Sequence, residues 1–145
     1  MAETLGAILR TKGRQVWSVS PEATVYEAIA QMADKSAGAL VVMKEGRPAG
    51  MISERDYARK VVLQGRSSKE TRVAEIMSSP AIVASPRETV DDAMRRMTEH
   101  RIRHLPVVEN DQVIGVISIG DLVRATIVDQ AATIEHLHTY IAGGR

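Results

Sequence analysis

The chain has 145 residues, 44% of them hydrophobic, which is enough for one ordinary domain or for two small units packed closely together. Its 19 Lys and Arg residues nearly balance 18 Asp and Glu residues, so no overall basic field marks a nucleic-acid-binding protein. The absence of Cys excludes disulfides and thiolate metal sites. No stretch approaches the roughly 18 apolar residues of a membrane span, and the first residues lack a secretory signal, so we expect a soluble cytoplasmic protein.

The first half of the chain predicts a short N-terminal helix followed by the order strand, helix, strand, strand, helix. These elements are expected at residues 5–9, 16–19, 24–33, 39–43, 48–52 and 53–62. Thr24 stands at an N-cap position, and Glu27 three residues later completes the pattern of a capping box. The run at 39–43 lacks polar alternation, which indicates a strand buried on both faces.

The second half repeats the first at a constant offset of 65 residues, without an insertion. The matched pairs include Ser20 with Ser85, Thr24 with Thr89, Gly50 with Gly115, Ser53 with Ser118, Asp56 with Asp121 and Arg59 with Arg124. A repeat of this length indicates duplicated structural units that bury faces against each other. We therefore predict an α/β (α+β) fold of two β-α-β-β-α units with pseudo-twofold symmetry. Residues 1–69 would form the first unit with the N-terminal helix, and residues 70–132 the second.

An apolar helical face continues past the end of the second unit. After Asp121 neither Gly nor Pro interrupts the pattern before Gly143. The face consists of Leu122, Val123, Ile127, Ala131, Ile134, Leu137 and Ile141. Residues 133–145 are therefore predicted to extend the last helix and either to contact a second subunit or to fold back onto the N-terminal helix.

The clearest chemical signal is a turn that occurs twice, at residues 50–56 and 115–121. In each copy a Gly allows close backbone approach, and a Ser begins a helix whose unpaired N–H groups favour an anion. The Asp three residues later can accept two hydrogen bonds from ribose hydroxyls. Ser-x-x-Asp is also a capping pattern that needs no ligand. Two copies in register favour the binding interpretation.

The combined motifs resemble a pair of cystathionine-β-synthase (CBS) domains, the module called a Bateman domain. They are Gly-hydrophobic-hydrophobic-Ser-x-x-Asp at the end of each unit, Ser-Pro-x-x-Thr-Val-x-x-Ala near each beginning, and Arg-His-Leu-Pro-Val-Val in the second unit. The resemblance covers about residues 5–132 and implies a stand-alone module whose units pack through small sheets with helices outside. It also implies two clefts that bind adenosine ligands such as AMP, ADP, ATP, NAD or S-adenosylmethionine.

The resemblance further implies that each cleft combines the Asp of one repeat with strands of the other. The first cleft would hold Ser53, Arg55, Asp56, Ile82, Arg103, His104 and Pro106. The second would hold Ser118, Asp121, Trp17, Ala37 and Ala39, with Lys12 or Arg14 nearby. Arg55, Arg103 and His104 suit phosphates in the first cleft. The matching Gly120, Gly38 and Ala39 carry no charge, so the second cleft is expected to take a less charged ligand or to stay empty.

A metal site, a nucleic-acid surface and an enzyme active site are the other interpretations of these residues. His136 and His138 lie two residues apart and so point to different helix faces, which argues against a metal site. The basic run at residues 95–104 lacks the interleaved aromatic residues of a nucleic-acid surface, and Trp17 suits an ordinary core position as well as a stacking one. No Ser lies in a nucleophile elbow, so neither an enzyme nor a catalytic cofactor is predicted.

The sequence thus predicts a non-enzymatic regulatory sensor. It would bind an adenosine nucleotide, with AMP favoured, and would act as a homodimer on an unknown effector protein. The alternatives are a protein-interaction module without a nucleotide and, with less support, a regulator that contacts nucleic acid through residues 95–104.

Overall fold

The computed structural model describes residues 3–128. The first half follows the predicted order of elements, whereas the second half begins with a short helix in place of the expected first strand. In the first half the elements are α1 (Leu5–Lys12), β1 (Ser18–Val19), α2 (Val25–Lys35), β2 (Ala39–Lys44), β3 (Arg47–Ser53) and α3 (Glu54–Tyr57), which continues as a π-helical turn at Ala58–Val62. In the second half they are α4 (Val73–Ile76), α5 (Val90–His100), β4 (His104–Glu109), β5 (Gln112–Ser118) and α6, at residues 119–128. The predicted extension at residues 133–145 lies outside the described residues.

The strands form two small sheets with matching pairings. β1 pairs in parallel with β2, which pairs antiparallel with β3, and β4 pairs antiparallel with β5. Val42 lies opposite Gly50 and Val107 lies opposite Gly115, and both hairpins shift register at the next residue. In the second unit, Ala84 makes a single parallel bridge to Val107 where β1 would lie. The predicted α/β fold of two repeats is confirmed.

A Thr hydroxyl caps the long helix of each unit as the sequence indicates, but the reciprocal bond of the capping box predicted at Thr24 and Glu27 is found at the matching Thr89 and Asp92 of α5 and not at α2. The hydroxyl of Thr24 accepts a hydrogen bond from the Glu27 amide at 3.1 Å. At α5 the Thr89 hydroxyl accepts from the Asp92 amide at 3.2 Å, and the Asp92 carboxylate accepts from the Thr89 amide at 2.9 Å. Such caps fix where α2 and α5 begin, because they satisfy amides that the first helical turn leaves unpaired.

Each hydrophobic core contains a helix from the other side of the predicted boundary at residue 69. The first core consists of Val25, Ala28, Met32, Leu40, Val42, Ile52, Val61, Val73 and Ile76. The second consists of Leu5, Ile8, Leu9, Ala84, Val90, Ala93, Met97, Leu105, Val107, Ile117, Leu122 and Ala125. Helix α1 therefore packs in the second core, and α4 packs in the first. The boundary separates the repeats in sequence but not in packing.

Gly50 marks the place where the segment after α4 returns to the first sheet. Met51 and Ser78 exchange two backbone hydrogen bonds, at 3.0 and 2.8 Å. A Cβ atom at Gly50 would lie 2.5 Å from the Ser78 carbonyl oxygen, which is backbone and cannot rotate away. The close pairing of this segment with β3 therefore requires glycine.

We expect Gly50→Ala to lower the free energy of unfolding by about 1–3 kcal/mol, because the added methyl group pushes the Ser78 backbone away from β3. Chemical denaturation measures the loss, and faster hydrogen exchange at the Met51 and Ser78 amides would locate it. Gly38→Ala is the matched control, since a Cβ atom there meets only the Glu54 carboxylate tip at 3.3 Å and the His104 ring at 3.7 Å. An equal loss in both variants would contradict the backbone clash.

Candidate functional site

A cavity of about 410 Å³ lies where both repeats present the beginnings of their hairpins, and we call it the first cleft. Its residues are Gly38, Ala39, Met51, Ser53, Glu54, Arg55, Asp56, Arg59, Lys60, Ser78, Arg101, Ile102, Arg103 and His104. Strands β2 and β4 contribute their first residues from one repeat each, and α3 with its π-helical turn contributes the charged wall. A cavity of this size is typical of a small-molecule site.

The first cleft brings together five of the seven residues predicted for it. Ser53, Arg55, Asp56, Arg103 and His104 line the cavity. Ile82 and Pro106 do not. Ile82 packs against the second core, and Pro106 is buried in the middle of β4.

Ala39 was predicted for the second cleft, but it lines the first. The reason is that β2 and β4 begin at the same place, so residues 38–39 and 101–104 share one cavity. The first cleft is therefore built from both repeats.

Several residues that line the first cleft were not predicted as site residues. Arg59 and Lys60 follow Arg55 and Asp56 at a spacing of four, so the helical period places them on the same face. Arg101 is the C-cap of α5 and has a left-handed conformation, with φ 55°. It lines the cleft together with the predicted Arg103. Ser78 enters the cleft only through its pairing with β3, and no local pattern indicates that contact.

One oxygen of Asp56 caps α3, and the other contacts residues of the cleft. Oδ2 accepts hydrogen bonds from the Ser53 amide and hydroxyl, both at 3.0 Å, while the Asp56 amide donates to the Ser53 hydroxyl at 3.1 Å. Oδ1 lies 3.2 Å from Lys60 Nζ and 3.4 Å from the Ser78 hydroxyl, and both of these residues line the cavity. The capping and binding interpretations are therefore compatible, because they use different oxygens.

The first cleft carries an excess of positive charge. Within residues 3–128, the guanidinium groups of Arg55, Arg59, Arg101 and Arg103 form no ion pair. The carboxylates of Glu54 and Asp56 also line the cavity, so the balance of these groups, with Lys60 included, is cationic. Four arginines that line one cavity and form no ion pair within residues 3–128 suit an anion with several oxygen atoms.

His104 is a partly buried side chain in the wall of the first cleft. Its ring lies over Gly38, since a Cβ atom built there would be 3.7 Å from Cε1 and Nε2. Burial lowers the pKa of His104, the charges of Lys12 and Arg103 lower it further, and Asp121 opposes them. The imidazole is therefore neutral at pH 7, and an anion in the cleft would favour its protonated form.

The stability of the protein is expected to fall as the pH is lowered through about 6.5, the usual pKa of an unfolded His. The unfolded chain then binds a proton that the folded chain rejects at His104, which favours unfolding. Chemical denaturation at pH 7.5 and 5.5 would measure this loss. His104→Gln should lose less over the same interval, since the other His residues are common to both proteins. An identical loss would contradict the assignment to His104.

The counterpart carboxylate, Asp121, is more enclosed, with its side chain 4% exposed. The Ser118 amide donates to Oδ2 at 2.8 Å, Lys12 Nζ lies 2.6 Å from the same oxygen, and an Arg124 nitrogen lies 2.6 Å from Oδ1. Burial by itself raises the pKa of Asp121, but the hydrogen bonds from Lys12 and Ser118 outweigh burial and hold the pKa below its ordinary value. Asp121 is therefore ionised and already paired.

Only part of the set predicted for the second cleft lines a second cavity. A cavity of about 420 Å³ between α1 and α6 is lined by Glu3, Ile8, Thr11, Lys12, Asp121, Arg124, Ala125 and Val128. Only Lys12 and Asp121 of the predicted set belong to it. Ser118 caps α6, and Ala37 lines neither this cavity nor the first cleft.

Trp17 packs against the first core, where Lys35 Nζ lies 4.7 Å from the centre of its ring. The exposed Arg14 lines neither of the two cavities.

Residues 3–128 contain neither a cluster of metal-binding side chains nor a membrane-spanning helix. No group of three or more His, Asp and Glu side chains is placed to hold a metal ion. No helix in this part of the chain is both long and apolar enough to cross a membrane.

Two equivalent units around a composite cleft define a tandem-repeat module. The family model of the CBS domain matches residues 8–63 and 73–127, so the chain belongs to the CBS domain family. The resemblance of the sequence motifs is thereby confirmed, and the protein is a CBS domain pair.

Individual relatives agree with this assignment. The mitochondrial CBS domain-containing protein CBSX3 of Arabidopsis thaliana is 41% identical over 97% of this chain and 73% of its own length. A solved structure from Burkholderia ambifaria, named for signal transduction and for its CBS domains, is 50% identical with a TM-score of 0.83, covering 88% of this chain and 96% of that one.

A more distant structure shares the fold. The CBS domain pair of protein MJ0100, solved with 5-methylthioadenosine and S-adenosyl-L-methionine, has a TM-score of 0.78 and 23% identity. It covers 89% of this chain and 99% of that one.

Proposed function

We propose that the protein is a non-enzymatic sensor that binds one adenosine nucleotide in the first cleft. Two features of the same cavity carry the proposal. One oxygen of Asp56 lies at the cleft, and four arginines that line it form no ion pair within residues 3–128. A carboxylate suits the ribose hydroxyls, and guanidiniums suit the phosphates. The adenosine ligands bound by the CBS domain pair of MJ0100 support the same ligand class.

The parts of the cleft suit the parts of a nucleotide. Asp56 Oδ1 and the Ser78 hydroxyl lie 3.4 Å apart and would hold the ribose. Met51 and Ile102 supply apolar surface, and Gly38 has no side chain to fill the space, so this side suits adenine. The phosphate end would lie among the arginines. AMP is the favoured ligand, and ADP, ATP, NAD and S-adenosylmethionine differ from it mainly in what they present to those arginines.

Binding in this cleft would join the two repeats. One wall comes from α3 and the other from residues 101–104, so a bound ligand contacts both units at once. A ligand shifts a conformational equilibrium only by the difference in its affinity for the two states. The signal would be a change in how the repeats sit together, passed to an effector protein.

The apolar side of α6 suits contact with a second copy of the chain. Ile119, Val123 and Ile127 are 39%, 44% and 58% exposed and recur every fourth residue, so they lie on one helix face. Burial of such a stripe in a homodimer would remove apolar surface from water. The cytoplasm stays a prediction, since the Arabidopsis relative is named as mitochondrial.

A thermal-shift panel of AMP, ADP, ATP, NAD and S-adenosylmethionine tests the ligand class. A ligand at 100 times its dissociation constant should stabilise the folded protein by about 2.7 kcal/mol. We expect the largest shift for one member of this panel and none for adenine-free phosphates at equal concentration. No shift with any member would contradict the sensor.

The second candidate is a protein-interaction module without a nucleotide. It is favoured by exposed apolar side chains at matching positions of the two repeats, with Leu63 77% and Val128 67% exposed. A null thermal-shift panel together with dimerisation would support it.

Nucleic-acid binding is not proposed. Arg96 is ion-paired with Glu88, and Arg95 lies 3.7 Å from Asp92, so part of the basic run is neutralised within the chain.

A further inference from the structure

The two equivalent carboxylates are held by lysines from non-equivalent positions. Asp56 is contacted by Lys60, four residues later on its own helical segment. Asp121 is contacted by Lys12, at the end of α1 and 109 residues earlier. At the offset of 65, Met77 matches Lys12 and Ala125 matches Lys60. The duplication therefore did not copy either contact.

The two lysine contacts differ in strength. Lys12 Nζ lies 2.6 Å from Asp121 Oδ2 and 2.7 Å from the Val116 carbonyl oxygen. Lys60 Nζ lies 3.2 Å from Asp56 Oδ1, and the Asp56 side chain is 13% exposed against 4% for Asp121. Charge-assisted hydrogen bonds are strongest at the shorter distance. Asp121 is therefore the more tightly held carboxylate.

Both oxygens of Asp121 are engaged within the chain. Oδ2 accepts from Lys12 and from the Ser118 amide, and Oδ1 accepts from Arg124. A ribose needs two adjacent acceptor positions for its two hydroxyls. In the first repeat, Oδ1 of Asp56 makes longer contacts, to Lys60 at 3.2 Å and to Ser78 at 3.4 Å, which ribose hydroxyls could replace.

We propose that Lys12 determines the number of nucleotides the protein binds, because its ammonium group takes the place of ribose hydroxyls on Asp121. The position at Asp121 where the second cleft was expected is thereby closed to an adenosine ligand, and one nucleotide binds per chain. This inference rests on the proposed function and deepens it, since it names the residue that makes the two repeats unequal.

The anchoring of α1 explains how one side chain keeps this position. Leu5 and Leu9 are fully buried in the second core, and the Gly6 amide donates to the Pro86 carbonyl at 2.9 Å. Lys12 is the last residue of this fixed helix, and its side chain is 40% exposed. Its removal therefore takes away the contact with Asp121 without opening the core.

Calorimetric titration with AMP of the wild type, Lys12→Met and Lys60→Met tests the inference. We expect one site in the wild type and two in Lys12→Met, with the new site within about tenfold of the first in affinity. Lys60→Met is the matched control, because it removes the lysine from the other carboxylate. Its affinity changes, but its number of sites stays at one.

Each other outcome is decisive. Two sites in the wild type, or one site in both the wild type and Lys12→Met, would overturn the role of Lys12. A wild type that binds no AMP beside a Lys12→Met protein that binds one would refute the first cleft and keep the Lys12 inference. No binding by either protein would overturn both.

The ion pair between Lys12 and Asp121 can also be tested in the absence of a nucleotide. Carbon-detected NMR titration of the Asp121 carboxylate should give a pKa that rises when Lys12 is replaced by Met, because the favourable ammonium contact is lost. An unchanged pKa would also overturn the inference.

Discussion

Replacing Asp56 by alanine is expected to lower the affinity for AMP roughly ten- to hundredfold, a loss on the order of 1.5–3 kcal/mol. The carboxylate supplies the acceptor oxygen at the cleft, and neighbouring Ser78 has only a hydroxyl to offer in its place. Asp121→Ala removes the same kind of helix cap from the second repeat. It should leave the affinity within about twofold, because Asp121 is already paired with Lys12 and Arg124.

Titration calorimetry on the two variants compares them directly, and their thermal unfolding shows that both remain folded. The shared loss of a cap makes Asp121→Ala a fair control for structural damage. An equal fall in affinity in both variants would contradict the inequality of the repeats. An unchanged affinity in Asp56→Ala would remove Asp56 from the site.

Truncation of Leu9 to alanine should lower the free energy of unfolding by about 3–5 kcal/mol, because it leaves a cavity in a closed core. Leu9 is fully buried and packs in the second core, although it precedes the first repeat's strands in sequence. Chemical denaturation measures the loss. Hydrogen exchange should show the weakened amides in β4 and β5 before those in β2 and β3.

Ile76→Ala is the matched variant for the other core. Ile76 is 2% exposed on α4 and packs in the first core, so its truncation should weaken β2 and β3 first. If Leu9→Ala instead weakened β2 and β3, the packing of α1 on the second unit would be contradicted.

The internal architecture of each repeat could be predicted from local pattern. Buried strands of this kind read as short apolar runs, and capping residues mark where helices begin, so β2, α2 and their counterparts lie where the sequence places them. The two hairpins, whose residues match at the constant offset of 65, share one register in the structure. These features depend on neighbours within the same unit.

The packing between units could not be predicted in the same way. The apolar stripe of Leu5, Ile8 and Leu9 shows which face of α1 is buried but not which core receives it. Likewise, no sequence spacing brings Lys12 to Asp121 or Ser78 to Asp56. Such contacts depend on how the two units meet.

The same limit applies to the residues expected at the clefts. Ile82 and Pro106 match the implied strand positions, yet their side chains belong to the packed interior. Ala39 lies in the first cleft because β2 and β4 begin side by side there. Arg59 and Lys60 of the first cleft could have been predicted, because residues four positions apart lie on the same face of a helix and Arg55 and Asp56 were already expected there.

The most direct measurement of the central claim is the change in backbone amide NMR shifts when AMP is added to the full chain. If AMP binds in the first cleft, the largest changes occur at Gly38, Ala39, Asp56, Ser78 and residues 101–104, which are far apart in sequence and meet in that cleft. Saturating AMP that leaves these amides unchanged, or that shifts mainly the amides of α1 and α6, would contradict a nucleotide site between the two repeats.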